Sequence, residues 1–141
     1  MRDLTESECL DLLGRHRYGR LGVRDADGVV IVPLSYALEG DTLVAHAGPG
    51  HKVQLMRLWP HIALEVDEIR DTAHWRSVLV KGRYTELLDE EQRTAARLAL
   101  LRAFEGSVSS VTAGHGHHVS LADAIMFRIK IESITGRAES Y

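Results

Sequence analysis

Apolar and polar residues alternate along most of this chain, and the alternation is interrupted by three stretches of helical period. The first stretch opens at Thr5. Thr5 and Glu8 have the T-x-x-E spacing at which a hydroxyl and a carboxylate satisfy two backbone donors of a helix start. Leu4 and Cys9 flank that start at the spacing of a hydrophobic staple. Cys9, Leu10 and Leu13 then share one face, and Gly14 is the predicted stop. Cys9 reads as a small core residue, because free cysteine is commonly buried. Tyr18 to Arg24 predicts a strand, and Asp25-Ala26-Asp27-Gly28 is turn chemistry. Val29 to Leu38 is a nearly unbroken apolar run, the pattern of a strand covered on both faces. Pro33 lies inside it. Proline donates nothing to a ladder, so it marks a bulge, an edge, or an N–H position that faces something else. Glu39-Gly40-Asp41 turns the chain and Thr42 to Ala47 returns.

Gly48-Pro49-Gly50 breaks the pattern, and a short helix is predicted from His51 to Trp59, stopped by Pro60. Ile62, Leu64 and Val66 alternate with Ala63, Glu65 and Asp67 as a half-buried strand. Arg76 to Leu88 forms another, with Val78 and Val80 on one side. Asp89 and Gln92 cap the third helix, and Asp89, Glu90 and Glu91 suit its positive end. Its apolar stripe reads as Ala95, Leu98, Leu101 and the Leu100–Phe104 pair, ending near Gly106. Residues 107–120 form a Ser/Thr/Gly/His loop. Phe127, Ile129 and Ile131 alternate with Arg128, Lys130 and Glu132 in a last strand. Six strands linked by hairpins or one helix, without regular βαβ spacing, predict a mainly β fold: an antiparallel barrel with helices outside it.

Composition narrows this picture. The 141 residues suit a single domain spanning 1–141. A net charge of −3 argues against a mainly electrostatic nucleic-acid binder. One cysteine excludes an intrachain disulfide framework and a multi-cysteine metal site. The N-terminal MRDLTESECLDLL lacks the apolar core of a signal peptide, and no run approaches the roughly 20 apolar residues of a membrane span. The expectation is a cytoplasmic protein.

Several chemistries are rejected on motif grounds. No G-x-x-x-x-G-K-[ST] or G-x-G-x-x-G is present, which removes a P-loop and a dinucleotide-binding fingerprint. No G-x-S-x-G elbow supports a Ser/His/Asp triad. Gly114-His115-Gly116-His117-His118 has the imidazole density of a metal tract. Apart from Asp123 it lacks a nearby carboxylate or thiolate, so it reads as a solvated or lid-like loop, and no metal ligand is nominated. One segment carries positive chemistry. The Thr42–Ala47 strand delivers a Gly-rich turn that opens a helix on His51 and Lys52. A helix N-terminus directs free N–H groups and partial positive charge outward. Gly48 and Gly50 let an anion approach the backbone, Lys52 adds a full charge, and His51 adds an adjustable donor. This is the outline of a phosphate site.

The order of segments resembles a known family. The relevant stretches are Gly19-Arg20-Leu21-Gly22-Val23, Val32-Pro33-Leu34-Ser35-Tyr36, His46-Ala47-Gly48-Pro49-Gly50-His51-Lys52 and Leu58-Trp59-Pro60. They continue through Leu64-Glu65-Val66-Asp67, Trp75-Arg76-Ser77-Val78, Gly82-Arg83 and Ile134-Thr135-Gly136-Arg137. Together, over residues 4–137, they resemble the pyridoxamine 5′-phosphate oxidase-like flavoproteins, in the small branch that includes nitroimidazole-resistance proteins. The resemblance implies a six-stranded antiparallel split barrel that dimerises and holds FMN at the subunit interface. It implies that Pro33, Leu34, Ser35 and Tyr36 run along the flavin ring and ribityl chain. His46, Ala47 and Gly48 stand beside the phosphate, and His51 and Lys52 grip it. Trp75, Arg76 and Ser77 reach the flavin from the same subunit or across the dimer. The same residues have plainer readings: Tyr36 as core, Trp75 as an interface anchor, Arg76 as a solvated strand-end charge. The additional Arg and Lys residues of the vitamin B6 oxidase proper have no counterpart here.

The implied function is that of an FMN-dependent oxidoreductase acting on a small organic molecule. Flavin carries the redox chemistry itself, so no catalytic acid or base is nominated. The alternatives are a deazaflavin-dependent reductase, a haem-binding protein drawing on the eight histidines, and a non-catalytic flavin-binding module.

Overall fold

A computed structural model describes residues 1–105 and 124–140. The 107–120 loop and the His115–His118 tract lie outside the described residues. The elements, in order, are β1 (Arg2–Asp3), α1 (Glu6–Arg15), β2 (Tyr18–Asp25), β3 (Gly28–Ser35), β4 (Ala37–Glu39) and β5 (Thr42–Ala47). They continue with α2 (His51–Leu58), β6 (His61–Asp71), β7 (His74–Glu86), α3 (Glu90–Ala103) and β8 (Ile125–Glu139). Among the described residues, all eight strands join one antiparallel sheet, in the order β3-β2-β6-β7-β8-β5-β4 with β1 on β8. The six longer strands are the six that the alternation predicts; β1 is a short addition, and β4 takes up the end of the Val29–Leu38 run.

The Val29–Leu38 run is two strands, not one. β3 ends at Ser35 and β4 begins at Ala37, with Tyr36 between them. These two strands lie at opposite ends of the sheet order. One residue advances the chain by about 3.8 Å. The sheet must therefore curl until its two ends meet, although no ladder joins them. The result is a barrel split along one seam. β3 is consequently an edge strand, paired with β2 alone, with Pro33 opposite Arg20. Its outward face is uncovered: Val29 is 71% and Ile31 is 70% exposed. The run is thus covered on one face and not on both, and Pro33 takes the edge role.

Turn chemistry fits the two hairpins. Gly28 (φ 149°) and Gly40 (φ 66°) occupy the left-handed region that disfavours side chains. Asp25 accepts a hydrogen bond from the backbone of Asp27.

The barrel interior is filled by Leu21, Val23, Leu43, Leu64, Val66, Val78, Val80 and Phe127. α1 and α2 close it with Cys9, Leu12, Leu13, Val53, Leu55 and Met56. The capping box of α1 is present, but the helix runs through Gly14 to Arg15, and Leu12 rather than Leu10 is fully buried. A second cluster lies outside the barrel, where α3 packs Ala96, Ala99 and Leu100 on Ala37, Val44 and Met126. The predicted α3 stripe holds in part: the Leu100–Phe104 pair is buried, but Ala95, Leu98 and Leu101 are exposed, and Ala96 and Ala99 complete the contact face. Alanine at two successive turns lets the helix axis approach the sheet more closely than leucine would. The C-terminal end of α3 reaches across the seam. Phe104 meets Tyr18 edge-to-face at 5.9 Å, and Ala103 O accepts from Arg17 Nε at 2.7 Å.

Gly82 sits at a register shift between β7 and β8. A Cβ there would lie 2.6 Å from the Lys130 carbonyl oxygen and 2.7 Å from Ile129 Cγ2. Gly82→Ala is expected to destabilise the fold by about 1–3 kcal/mol, the scale of overpacking. Urea unfolding against wild type measures it.

Candidate functional site

α2 differs at its N-terminus from the other two helices among the described residues. Thr5 and Asp89 cap α1 and α3 through side-chain oxygens, and both helices carry acidic residues in the first turn. α2 starts at Gly50, which has no side chain to offer, and its first turn contains no acid. A Cβ on Gly50 would meet nothing within 4 Å among the described residues, which leave the approach to this turn open. Successive helical residues are about 100° apart, which puts Lys52 on the same side as the buried Val53, Leu55 and Met56. Lys52 is accordingly half-buried, and burial lowers its pKa. Among the described residues no carboxylate pairs with it. His51 is exposed. A partly desolvated ammonium beside uncapped amides favours an anion.

The other nominated residues separate by strand parity. On β5, Ala47 points with Leu43 and Ala45 into the barrel, whereas His46 points with Val44 to the outer, α3 side. Gly48 is half-buried at the turn. On β3, Pro33 and Ser35 face outward, while Leu34 is 3% exposed and faces the interior. Tyr36 is fully buried. Its hydroxyl donates to Leu13 O at 2.6 Å, and its backbone N–H donates to Arg17 O at 2.9 Å. Burial raises the phenol pKa strongly. The side chains of Leu34 and Tyr36 are thus core elements that tie the seam to α1.

On β7, Trp75 and Ser77 face outward and Arg76 faces the opposite way. Arg76 Nε donates to Glu68 Oε1 at 2.7 Å. Glu68 Oε2 lies 2.6 Å from His16 Nε2 and 3.4 Å from an Arg15 nitrogen. Burial works against the Glu68 carboxylate, but these hydrogen bonds and charges outweigh it and hold its pKa below the usual value. Arg76 is therefore a structural cation at the barrel end rather than a solvated charge. Ser77 lines two open grooves on the outer sheet face. One, of about 540 Å³, is walled by Trp75, Ile69, Thr72, Glu65 and Asp71. The other, of about 620 Å³, runs along Leu79, Thr135 and Arg137.

Three strand spacings separate Pro33 and Ser35 on β3 from Trp75 and Ser77 on β7, about 14 Å along the sheet. One copy of the chain does not bring these two sets together.

Glu65 and Asp67 were not nominated from sequence, although the Leu64-Glu65-Val66-Asp67 alternation sets both carboxylates on one face. Arg20 reaches them only at 3.9 and 3.8 Å. Burial, and then the hydrogen bond and charge of Asp67, push Glu65 up to about 7, against the opposing effect of Arg20.

Two measurements follow from this geometry. Tyr36→Phe leaves Leu13 O without its donor and is expected to cost about 1–3 kcal/mol in urea unfolding. Glu65 has a raised pKa in the folded state, so it favours folding while protonated, and that contribution is lost as pH rises through about 7. Glu65→Gln is expected to raise the melting temperature more at pH 8 than at pH 4, by thermal unfolding at both pH values.

Comparison with known proteins places this architecture. The family model described as pyridoxamine 5′-phosphate oxidase matches residues 5–138. The structure aligns with an FAD-binding protein from Mesorhizobium loti at a TM-score of 0.83 and 33% identity, covering 99% of this chain and 98% of that one. A Bacteroides thetaiotaomicron protein named for 5-nitroimidazole antibiotic resistance aligns at 0.74 with 15% identity, over 96% of this chain and 86% of that one, a likeness of fold alone. An uncharacterised protein of Rhizobium meliloti is 34% identical over 87 residues, which take in 62% of this chain and only 58% of that protein. With a matched family model over nearly its whole length and the split antiparallel barrel in place, the chain belongs to the pyridoxamine 5′-phosphate oxidase family.

Proposed function

We propose that this protein binds FMN by its phosphate at the N-terminus of α2 and serves as an FMN-dependent oxidoreductase for a small organic molecule. The observation that carries the reading is Lys52: a half-buried ammonium with no carboxylate partner among the described residues, at the mouth of an uncapped helix. A phosphate dianion satisfies both the ammonium and the first-turn amides. Pro33 and Ser35 offer an outward strand surface for the flavin. Bound flavin supplies the electron transfer, and the chain contributes binding, orientation and exclusion of water.

The flavin-facing role of Trp75 and Ser77 then requires a second copy, because within one chain they stand too far across the sheet. We therefore propose a homodimer with the flavin at the interface. The exposed Val29, Ile31, Ile69 and Leu79 of the outer face supply apolar area for it. Sedimentation is expected to give a dimer at micromolar concentration; a monomer that still holds flavin tightly overturns the shared site.

A second reading, FAD, is favoured by the 33% identical FAD-binding protein. Mass spectrometry of ligand released from the purified protein separates the two. For the phosphate site itself, a Lys–phosphate contact is a charge-assisted bond worth about 1.5–3 kcal/mol. Lys52→Ala is expected to weaken FMN binding by about ten- to a hundredfold with the fold intact. Fluorescence-quenching titration with circular dichroism as the folding control measures this. Unchanged affinity removes the phosphate from this turn.

A further inference from the structure

α2 has eight residues, fewer than the roughly 12–15 at which a helix holds itself together in water. Its position is thus set by what it touches. Val53, Leu55 and Met56 are buried in the barrel core and decide which face of the helix turns inward, but apolar burial is non-directional and leaves the finer roll to polar contacts. Its N-terminal end has no side-chain cap. The directional restraint lies at the other end. Arg57 donates to Glu86 through two parallel bonds, Nε to Oε1 at 2.8 Å and an Nη to Oε2 at 2.9 Å. Glu86 is the last residue of β7, in ladder register with Phe127 of β8. Its carboxylate also accepts from the Tyr84 hydroxyl at 2.7 Å. Tyr84 in turn packs on Phe127 with ring centres 5.1 Å apart. One end of the fork is therefore bolted to the sheet. Arg57 and Lys52 differ by five residues, about 140° around the helix axis, so fixing the direction of Arg57 fixes that of Lys52.

We infer that Glu86 is a positioning residue: through Arg57 it sets the roll of α2 and so aims Lys52 and the first-turn amides at an anion. This inference rests on the proposed phosphate site. Arg57 is half exposed, and an ion pair of that kind contributes little to global stability. Its removal therefore leaves the fold standing and shows itself in ligand preference instead.

The test compares FMN with riboflavin, which shares the ring and ribityl chain but lacks the phosphate. Affinities for both are measured in wild type, Glu86→Gln, Glu86→Ala and Lys52→Ala, with circular dichroism on each. Glu86→Ala is expected to weaken FMN by about tenfold, the size of one lost hydrogen bond, and to leave riboflavin unchanged. Glu86→Gln, the isosteric change, shifts the preference in the same direction and covers the case in which the alanine variant misfolds. In a Lys52→Ala background the Glu86 substitution is expected to cost less than it does in wild type, because only the first-turn amides remain to be aimed, and the charge-reversed pair Arg57→Glu with Glu86→Arg is expected to restore the preference for FMN. Equal weakening of FMN and riboflavin, or an unaltered preference in the Glu86 variants, overturns the positioning role while leaving the phosphate site in place. A wild type that does not prefer FMN to riboflavin overturns the phosphate site, and with it the inference built on it.

Discussion

Tyr36 is the only residue between two strands that lie at opposite ends of the sheet. That covalent constraint forces the curl of the sheet, and most of the architecture depends on it. The seam it creates has no ladder hydrogen bonds, so other contacts hold it. From inside, the Tyr36 ring is buried and its hydroxyl grips the carbonyl of Leu13. From outside, α3 lies across the seam, packed on β4 and β5 along its length and meeting Tyr18 and Arg17 at its end. Once the ends of the sheet meet, the inward-facing residues of every long strand share one interior, which α1 and α2 close.

Closing the barrel this way also decides what remains for function. No charged residue is fully buried among the described residues. The charges that matter stand at the barrel ends and on the outer face. Glu65 and Glu68 lie on one strand, three residues apart, and titrate in opposite directions. Glu68 points to the barrel end, where Arg15, His16 and Arg76 surround it and stabilise its charge. Glu65 points outward beside Asp67, with only a distant guanidinium to offset both carboxylates. Strand parity alone assigns them these surroundings.

α2 belongs to the same logic. It is too short to stand alone and carries its ammonium on the face that the core claims. Closing the barrel with this helix partly desolvates Lys52, and an anion at the open end of the helix is the partner that such an arrangement favours. For such a partner the orientation of the helix is as relevant as the identity of its residues.

Local pattern was enough to locate most elements, because the signals are short-range: the Thr5–Glu8 box, the glycines of the two hairpins, the alternation around Ile62 and Phe127, and the Gly-Pro-Gly start of α2. The order of motifs was enough to name the family. The uncapped start of α2 and the lysine beside it are legible for the same reason, since the chemistry of a helix start is written in consecutive residues. What consecutive residues do not contain is which side of the sheet is enclosed. Val29 and Ile31 read as core and are exposed, because β3 became an edge only when the sheet curled. The α3 stripe is legible only in its Leu100–Phe104 pair, because contact through Ala96 and Ala99 depends on how closely β4 and β5 admit the helix. Trp75, Arg76 and Ser77 read as one motif, yet the pleat sends Arg76 to Glu68 and its neighbours to the outer face. The partition between Tyr36 as core and Pro33 and Ser35 as surface was likewise decided by tertiary structure, since burial is a property of what packs against a residue and not of the residue itself.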